Sequence, residues 1–314
     1  MTLTPSRFGL PLVALLTLSA CAAVGPEPAD LPTPRLQGAF AEAEGAPLGR
    51  TGANAFWSGY QDRLLSQLIA EGLGTSLDII AANERIRAAE ADLAATAPLA
   101  AQITGDASAA RTRSGGDGRT AATSDSASLS AGFVFDLFGG ARRARQGAAA
   151  GYASAEAQAE VTRLAWLAEV IGAYADARFA QEALSLTRET LRAREQTLGV
   201  TREMSSVGLA TSLDIAQTEA LLATARADLP NYEAQFNAQV YRLSTLLNQQ
   251  AGPLMARMQG GGAALRIPPG PGTGVPAELL ANRPDLRAAR ADLARALAQV
   301  GVAEADMLPS LGLS

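Results

Sequence analysis

Apolar residues recur every seven positions along two stretches of the chain. Val170, Ala177, Leu184, Leu191 and Leu198 form one ladder; Ile215, Leu222, Leu229, Phe236 and Leu243 form the other. The two ladders mirror each other about a point between residues 206 and 207. A seven-residue repeat held over four intervals is a coiled-coil pattern, and its mirrored placement predicts an antiparallel helical hairpin over residues 139–250. The first ladder alone would run about 42 Å at about 1.5 Å per residue, too long for one compact globule. An ordinary helix pair inside a bundle is the plainer alternative for the same spacing. The hairpin tip falls at residues 205–212, where Gly208 suits a backbone turn with positive φ. Leu209 stands beside it, although a turn gains nothing from a large apolar side chain held in water.

Upstream, over residues 99–138, the period changes to two. Ile103, Gly105, Ala107 and Ala109 alternate with Gln102, Thr104, Asp106 and Ser108; Leu129, Ala131, Phe133, Phe135 and Leu137 alternate with Ser128, Ser130, Gly132, Val134 and Asp136. This predicts two strands about as long as those of a transmembrane barrel. The small polar residues 114–126 between them read as an exposed loop. A half-buried hairpin of a soluble sandwich shares the pattern. The aromatics near the end of the second strand favour lipid, with Leu129, Phe133, Phe135 and Leu137 facing it. Gly139-Gly140 then ends the strand.

Residues 62–98 carry two lead-in helices, the first marked by Leu64, Leu65, Leu68 and Ile69. Before them, residues 21–61 hold Pro26, Pro28, Pro32 and Pro34 and read as an extended strap. After the hairpin, residues 251–276 are rich in Gly and Pro and predict an irregular linker. Residues 277–314 then repeat an earlier block, with Ser76-Leu77-Asp78-Ile79 matching Arg283-Pro284-Asp285-Leu286. Both copies head toward a strand, which points to internal duplication. The second copy stops at Ser314, whereas the first continues for about 150 residues past the matching point, so a truncated product or fragment is expected.

Composition removes most chemistry. The 314 residues include no His, a single Cys and 26 basic residues, all of them Arg. The commonest general base, zinc ligand and Cys/His nucleophile pair are therefore missing, and an enzyme is not expected. No Gly-rich loop follows a strand in the manner of a phosphate site. A net charge of −5 offers no basic surface for nucleic acid. Arg142, Arg143 and Arg145 form the tightest basic cluster, read as a solvated helix face or a membrane-boundary feature.

Residues 1–20 read as an export signal: Arg7, an apolar run from Phe8 to Leu18, then small residues. The run is shorter than the roughly 20 residues a spanning helix needs. Leu18-Ser19-Ala20-Cys21 resembles a bacterial lipobox, which implies cleavage before Cys21 and attachment of diacylglycerol and palmitate there. No other cofactor or metal is expected. Ala22, rather than Asp, after Cys21 implies sorting to the outer membrane.

The order of parts is similar to that of the TolC-type outer membrane efflux proteins, in the lipoprotein branch serving RND-type tripartite pumps. The resemblance rests on the lipobox, the strap, Phe56-Trp57, the strand hairpin, Asp136-Leu137-Phe138-Gly139-Gly140, Val207-Gly208-Leu209 with Asp214, Asn282-Arg283-Pro284-Asp285-Leu286-Arg287 and Leu308-Pro309-Ser310-Leu311. It implies a mainly α fold with a β-hairpin: a long coiled-coil helical hairpin of a periplasmic α-barrel, plus transmembrane β-barrel strands, built from two repeats with the second incomplete. It further implies a homotrimer, an outer-membrane location extending into the periplasm, and a passive exit duct for drugs or other small toxic compounds. A periplasmic adaptor and an inner-membrane RND pump would be the partners. Val207, Gly208, Leu209 and Thr211 would meet the adaptor tip to tip, with Asp214 capping or pairing at the second helix. The first repeat has Ala101-Gln102 where the second has Pro309, so the strands start differently. The second hairpin, which carries the gate in the family, is not in this sequence. Alternatives are a duct for secreted polypeptides and a non-channel envelope lipoprotein that uses its coiled coil as a tether.

Overall fold

A computed structural model of the chain describes residues 23–27, 56–96, 100–113, 121–262, 264–266 and 282–314. The export signal, Cys21 and most of the strap lie outside the described residues. The elements in order are a 3₁₀ turn at Phe56–Tyr60, helices α1 (Arg63–Thr75) and α2 (Leu77–Ala95), and strands β1 (Ala100–Arg113) and β2 (Ala121–Phe135). Helices α3 (Gly140–Ser206), α4 (Ser212–Leu246), α5 (Ala251–Gln259) and α6 (Pro284–Asp306) follow, then strand β3 (Leu311–Leu313). Two compact units emerge. Among the described residues, one comprises 23–27, those from Arg85 to Gln158, and Arg283–Ser314; the other comprises 56–84 and those from Ala159 to Asn282.

The second unit holds the main apolar core. Asp62 caps α1 by accepting from the Leu65 amide at 2.9 Å, and the helix buries Leu65, Leu68, Ile69 and Gly72 along one stripe. They pack with Trp166, Leu167, Val170 and Tyr174 of α3 and with Val240 and Leu243 of α4. Each such side chain contributes about 1.5–3 kcal/mol on burial. Every rung of the two sequence ladders turns inward. Val170, Ala177, Leu198, Leu222, Phe236 and Leu243 are buried, and Leu184, Leu191, Ile215 and Leu229 are half-buried. Ion pairs Arg202–Glu219 (2.6 Å), Arg226–Glu195 (2.9 Å) and Arg188–Glu233 (3.2 Å) cross between α3 and α4. They are exposed, so each adds little stability, but all three share one antiparallel register.

The Gly/Pro stretch after the hairpin departs from the expected linker, because residues 251–259 are helical. Pro253 falls in the first turn, where a missing amide costs nothing. Leu254 and Met258, one turn apart, are buried in the core. Glu71 of α1 takes a bidentate bond from Arg257 at 2.9 and 3.0 Å, and that guanidinium holds its carboxyl below the usual range. A second polar lock lies deeper. Tyr174 Oη donates to Asp62 Oδ2 at 2.8 Å and accepts from Arg178 Nε and Nη2 at 3.0 Å. Arg178 Nη1 also donates to the Met258 carbonyl at 3.3 Å. Burial pushes the Tyr174 hydroxyl up to about 12.

In the first unit, β1, β2 and β3 form an antiparallel sheet in that order. β1 pairs with β2 from Ala100↔Val134 to Arg113↔Ala121. The sequence-predicted loop at residues 114–126 is therefore shorter than expected, since residues 121–126 extend β2. Their Ser and Thr side chains tolerate an extended backbone, and the pairing supplies the backbone partners that the polar composition concealed. β3 joins β2 through Phe133↔Leu313 and Phe135↔Leu311. α6 buries Pro284, Ala288, Ala298 and Gly301, and its Asp292 accepts from the Ser154 hydroxyl of α3 at 2.8 Å.

Candidate functional site

The strand register decides what the hairpin can do. Residues directly opposite in an antiparallel pair share a face. Ile103↔Ala131, Gly105↔Leu129 and Ala107↔Ala127 thus line one side, continued along β2 by Phe133 and Phe135. Thr104↔Ser130, Asp106↔Ser128 and Ser108↔Ser126 line the other. The apolar side from Ala127 to Phe135 spans about 26 Å at roughly 3.3 Å per residue, close to the ~25 Å apolar band of a membrane barrel. It ends where Asp125 faces Ala109, one pair before Arg111 faces Thr123. Ile103 is 76% and Leu129 80% exposed, so this face has no cover within the described residues. The opposite face carries hydroxyls and one acid from Thr104 to Ser108, with Ser108 and Ser126 hydrogen-bonded at 2.8 Å, and Val134 at its other end. Sequence reasoning placed Leu129, Phe133, Phe135 and Leu137 together. The first three share the apolar face, and Phe133 and Phe135 meet edge to face at 4.8 Å. Leu137 does not belong with them on the strand: β2 ends at Phe135, and Leu137 lies in the bend that follows.

That bend is built by Asp136. Its two carboxylate oxygens accept from the Ala141 and Arg142 amides at 3.1 Å, satisfying the first turn of α3. Gly139 adopts φ +79, and an added Cβ there would meet Ala23 at 2.5 Å. The basic cluster just beyond divides. Arg142 and Arg145 are exposed, whereas Arg143 is only 1% exposed. Arg143 is therefore neither a solvated face nor a membrane-boundary charge. Sequence reasoning missed this side chain because charge alone gives no sign of burial.

At the far end of α3 the chain reverses through a hydrogen-bonded cap. The Gly208 amide donates to Ser205 O at 3.0 Å and the Leu209 amide to Met204 O at 2.8 Å, with Gly208 at φ +77. This is a Schellman arrangement, which needs a residue that takes positive φ without strain. Thr211 then caps α4. Its hydroxyl accepts from the Asp214 amide at 3.2 Å, and Asp214 Oδ2 accepts from the Thr211 amide and hydroxyl at 2.7 Å. These bonds from Thr211, the hydroxyl first, hold the Asp214 carboxyl below its ordinary value. Thr211 and Asp214 are thereby accounted for by the turn itself. Val207 and Leu209 are not, at 69% and 72% exposed, and Leu213 joins them at 63%. The three large apolar side chains sit within seven residues at one exposed tip.

Among the described residues no group of His, Cys, Asp and Glu could hold a metal, and no single helix is long and apolar enough to cross a membrane. Comparison with known proteins agrees with the geometry. The family model described as outer membrane efflux protein matches residues 68–249 and 275–314. Nodulation protein T of Rhizobium leguminosarum bv. viciae is 32% identical over 95% of this chain and 62% of its own length. The pyoverdine export outer membrane protein OpmQ of Pseudomonas aeruginosa is 32% identical over 96% of this chain and 66% of its length. The solved outer-membrane channel OprN superposes with a TM-score of 0.77 at 29% identity, covering 92% of this chain and 66% of that one. The chain thus spans just under two thirds of the length of these relatives. Its matched segments, its two-faced strand hairpin and its long helical hairpin together make it a member of the outer membrane efflux protein family.

Proposed function

We propose that the chain is a subunit of an outer-membrane channel, the passive exit duct of a tripartite efflux system in a Gram-negative bacterium. The observation that carries this reading is the strand hairpin. From Ala127 to Phe133 its apolar side chains fall on one uncovered face and its hydroxyls on the other. Such a hairpin in lipid leaves unpaired strand edges, which only closure with further strands satisfies. Copies of the chain assembled as a homotrimer supply them, with the apolar face toward outer-membrane lipid and the hydroxyl face toward the lumen. Lipid attached at Cys21 anchors the N-terminus. The tip around Val207 and Leu209 meets a periplasmic adaptor, and an inner-membrane RND pump drives transport. The cargo class is small compounds. The name of one relative points the same way, to pyoverdine export. A tether that uses only its coiled coil has no use for an uncovered two-faced hairpin.

The test is fractionation of the native host together with susceptibility measurements on a deletion strain. Heat-modifiable trimers in the outer membrane, and a deletion strain sensitised to toxic small molecules, are expected. Recovery as a monomer in the soluble periplasm would overturn the proposal.

A further inference from the structure

The buried guanidinium of Arg143 has no structural need to be charged. It is 1% exposed, and its bonds go to neutral groups: Nε to Val24 O at 3.0 Å, Nη2 to Gly25 O at 2.8 Å and Nη1 to Gln146 Oε1 at 2.9 Å. Its ion pair with Glu27 is long, at 3.9 Å, and that carboxylate is 65% exposed. Burying a cation against neutral acceptors is costly, and an apolar side chain of similar length would fill the space at less expense. What a guanidinium adds is a fixed fork of donors aimed at two successive main-chain carbonyls.

Glycines complete the same place. The Val24 amide donates to Phe138 O at 3.1 Å. A Cβ on Gly139 would meet Ala23 at 2.5 Å, and one on Gly25, at φ +85, would meet Gly301 Cα at 2.5 Å. A Cβ on Gly301 would meet Arg143 Cγ at 2.9 Å and Val24 O at 3.0 Å. Residues 23–25 therefore lie against bare backbone on two sides, with an arginine reading their carbonyls.

We propose that Gly139, Arg143 and Gly301 form a peptide-binding slot whose ligand is the chain's own segment Ala23–Gly25. Seating of that segment fixes the N-terminal strap to the junction of β2 and α3. The slot reads backbone and small size rather than side-chain chemistry, and its walls come from residues 138–143 and from α6. It therefore exists only once the start of α3 and α6 have met, so the strap docks after them. That the seated segment carries a lipid two residues upstream rests on the proposed modification of Cys21. The slot does not.

Hydrogen exchange on the full-length, detergent-solubilised protein tests this, read at the Val24 amide. In Arg143→Met and in Gly301→Ala, exchange there should quicken about tenfold, which is about 1.4 kcal/mol of lost local stability. Amides of β1 and β2 should keep their protection. Gly25→Ala changes the ligand instead of the slot and should give the same pattern, adding little when combined with Gly301→Ala. Cys21→Ser should leave Val24 protected, since the slot holds peptide and not lipid. Val24 protection that survives Arg143→Met and Gly301→Ala would overturn the proposal. So would loss confined to Cys21→Ser, or loss spread equally over the sheet.

Discussion

Trp166 donates its indole Nε1–H to the Leu246 carbonyl at 2.9 Å, which locks its ring against α1. A Cβ added to Gly72 would meet that ring at 2.5 Å and Leu247 Cδ2 at 2.6 Å. Trp166 is 3% exposed and held by its hydrogen bond, so it has nowhere to retreat. Gly72→Ala gains about 1 kcal/mol of helix propensity but faces an overpacking cost of about 1–3 kcal/mol. Crowding wins at these distances. Gly74, in the same helix, has nothing within 4 Å. Thermal melting of the solubilised protein should show Gly72→Ala melting lower and Gly74→Ala slightly higher than the parent. Equal shifts in one direction would show that the ring is free to move.

Tyr174 is the hub between Asp62 and Arg178, and its loss takes a partner from Asp62 Oδ2 and from Arg178 Nε and Nη2. Tyr174→Phe keeps the ring but removes an acceptor from a guanidinium that is 3% exposed. A buried group left unsatisfied costs about 1–3 kcal/mol. Because the folded hydroxyl titrates near 12, above its ordinary value of 10, its contribution is complete below pH 10 and disappears as pH rises through about 12. Tyr174→Phe should therefore melt well below the parent at pH 8, with the gap closing in strong alkali.

The two strand faces predict opposite outcomes for one substitution. Leu129→Arg places a charge on the apolar face, where burial near the membrane midplane costs about 2–4 kcal/mol. Ser128→Arg places it on the hydroxyl face. The fraction of protein recovered as heat-modifiable outer-membrane trimer should fall for the first and hold for the second. Equal recovery would mean that the apolar face does not meet lipid.

Much of this was legible because periodicity carries geometry. The ladders from Val170 to Leu198 and from Ile215 to Leu243 all turn inward, and the alternation around Ile103 and Leu129 matches the strand register. The turn at Gly208 was legible because only certain residues take positive φ cheaply. Composition misled where position mattered more. The Gly and Pro of residues 251–276 predicted an irregular linker, yet Pro253 sits in a first turn, and the Leu254–Met258 pair behind it was the usable signal. Pro230 lies inside α4 without ending it. Arg143 was the hardest to see. Its burial depends on Val24 and Gly301, each far away in sequence, and no local pattern encodes that meeting.

The cap at the tip should titrate. Bonds from Thr211 hold the Asp214 carboxyl below its ordinary value, so its support for α4 is complete above that value, near pH 4. It is lost as pH falls through the lowered one. Asp214→Ala removes the reciprocal half of the capping box. Amide exchange at residues 212–215 should thus be faster in Asp214→Ala than in the parent at pH 6. The two should converge in strong acid. A gap independent of pH would assign the effect to something other than the carboxylate.

Leu209 separates a turn from a docking surface. Its amide completes the cap, but its side chain is 72% exposed and contributes little to folding. Leu209→Glu should therefore change the melting temperature hardly at all, within the roughly 0.5 kcal/mol typical of surface substitutions. Gly208→Val is the contrasting change. At φ +77 a side chain costs about 1–2 kcal/mol, more for a β-branched one, so stability falls first and export only in proportion. If the exposed Val207, Leu209 and Leu213 form the face that meets an adaptor, a charge at Leu209 abolishes cross-linking to that adaptor. Compound export is then lost with trimers intact. Leu209→Glu trimers that cross-link and export like the parent would make the tip a turn and nothing more.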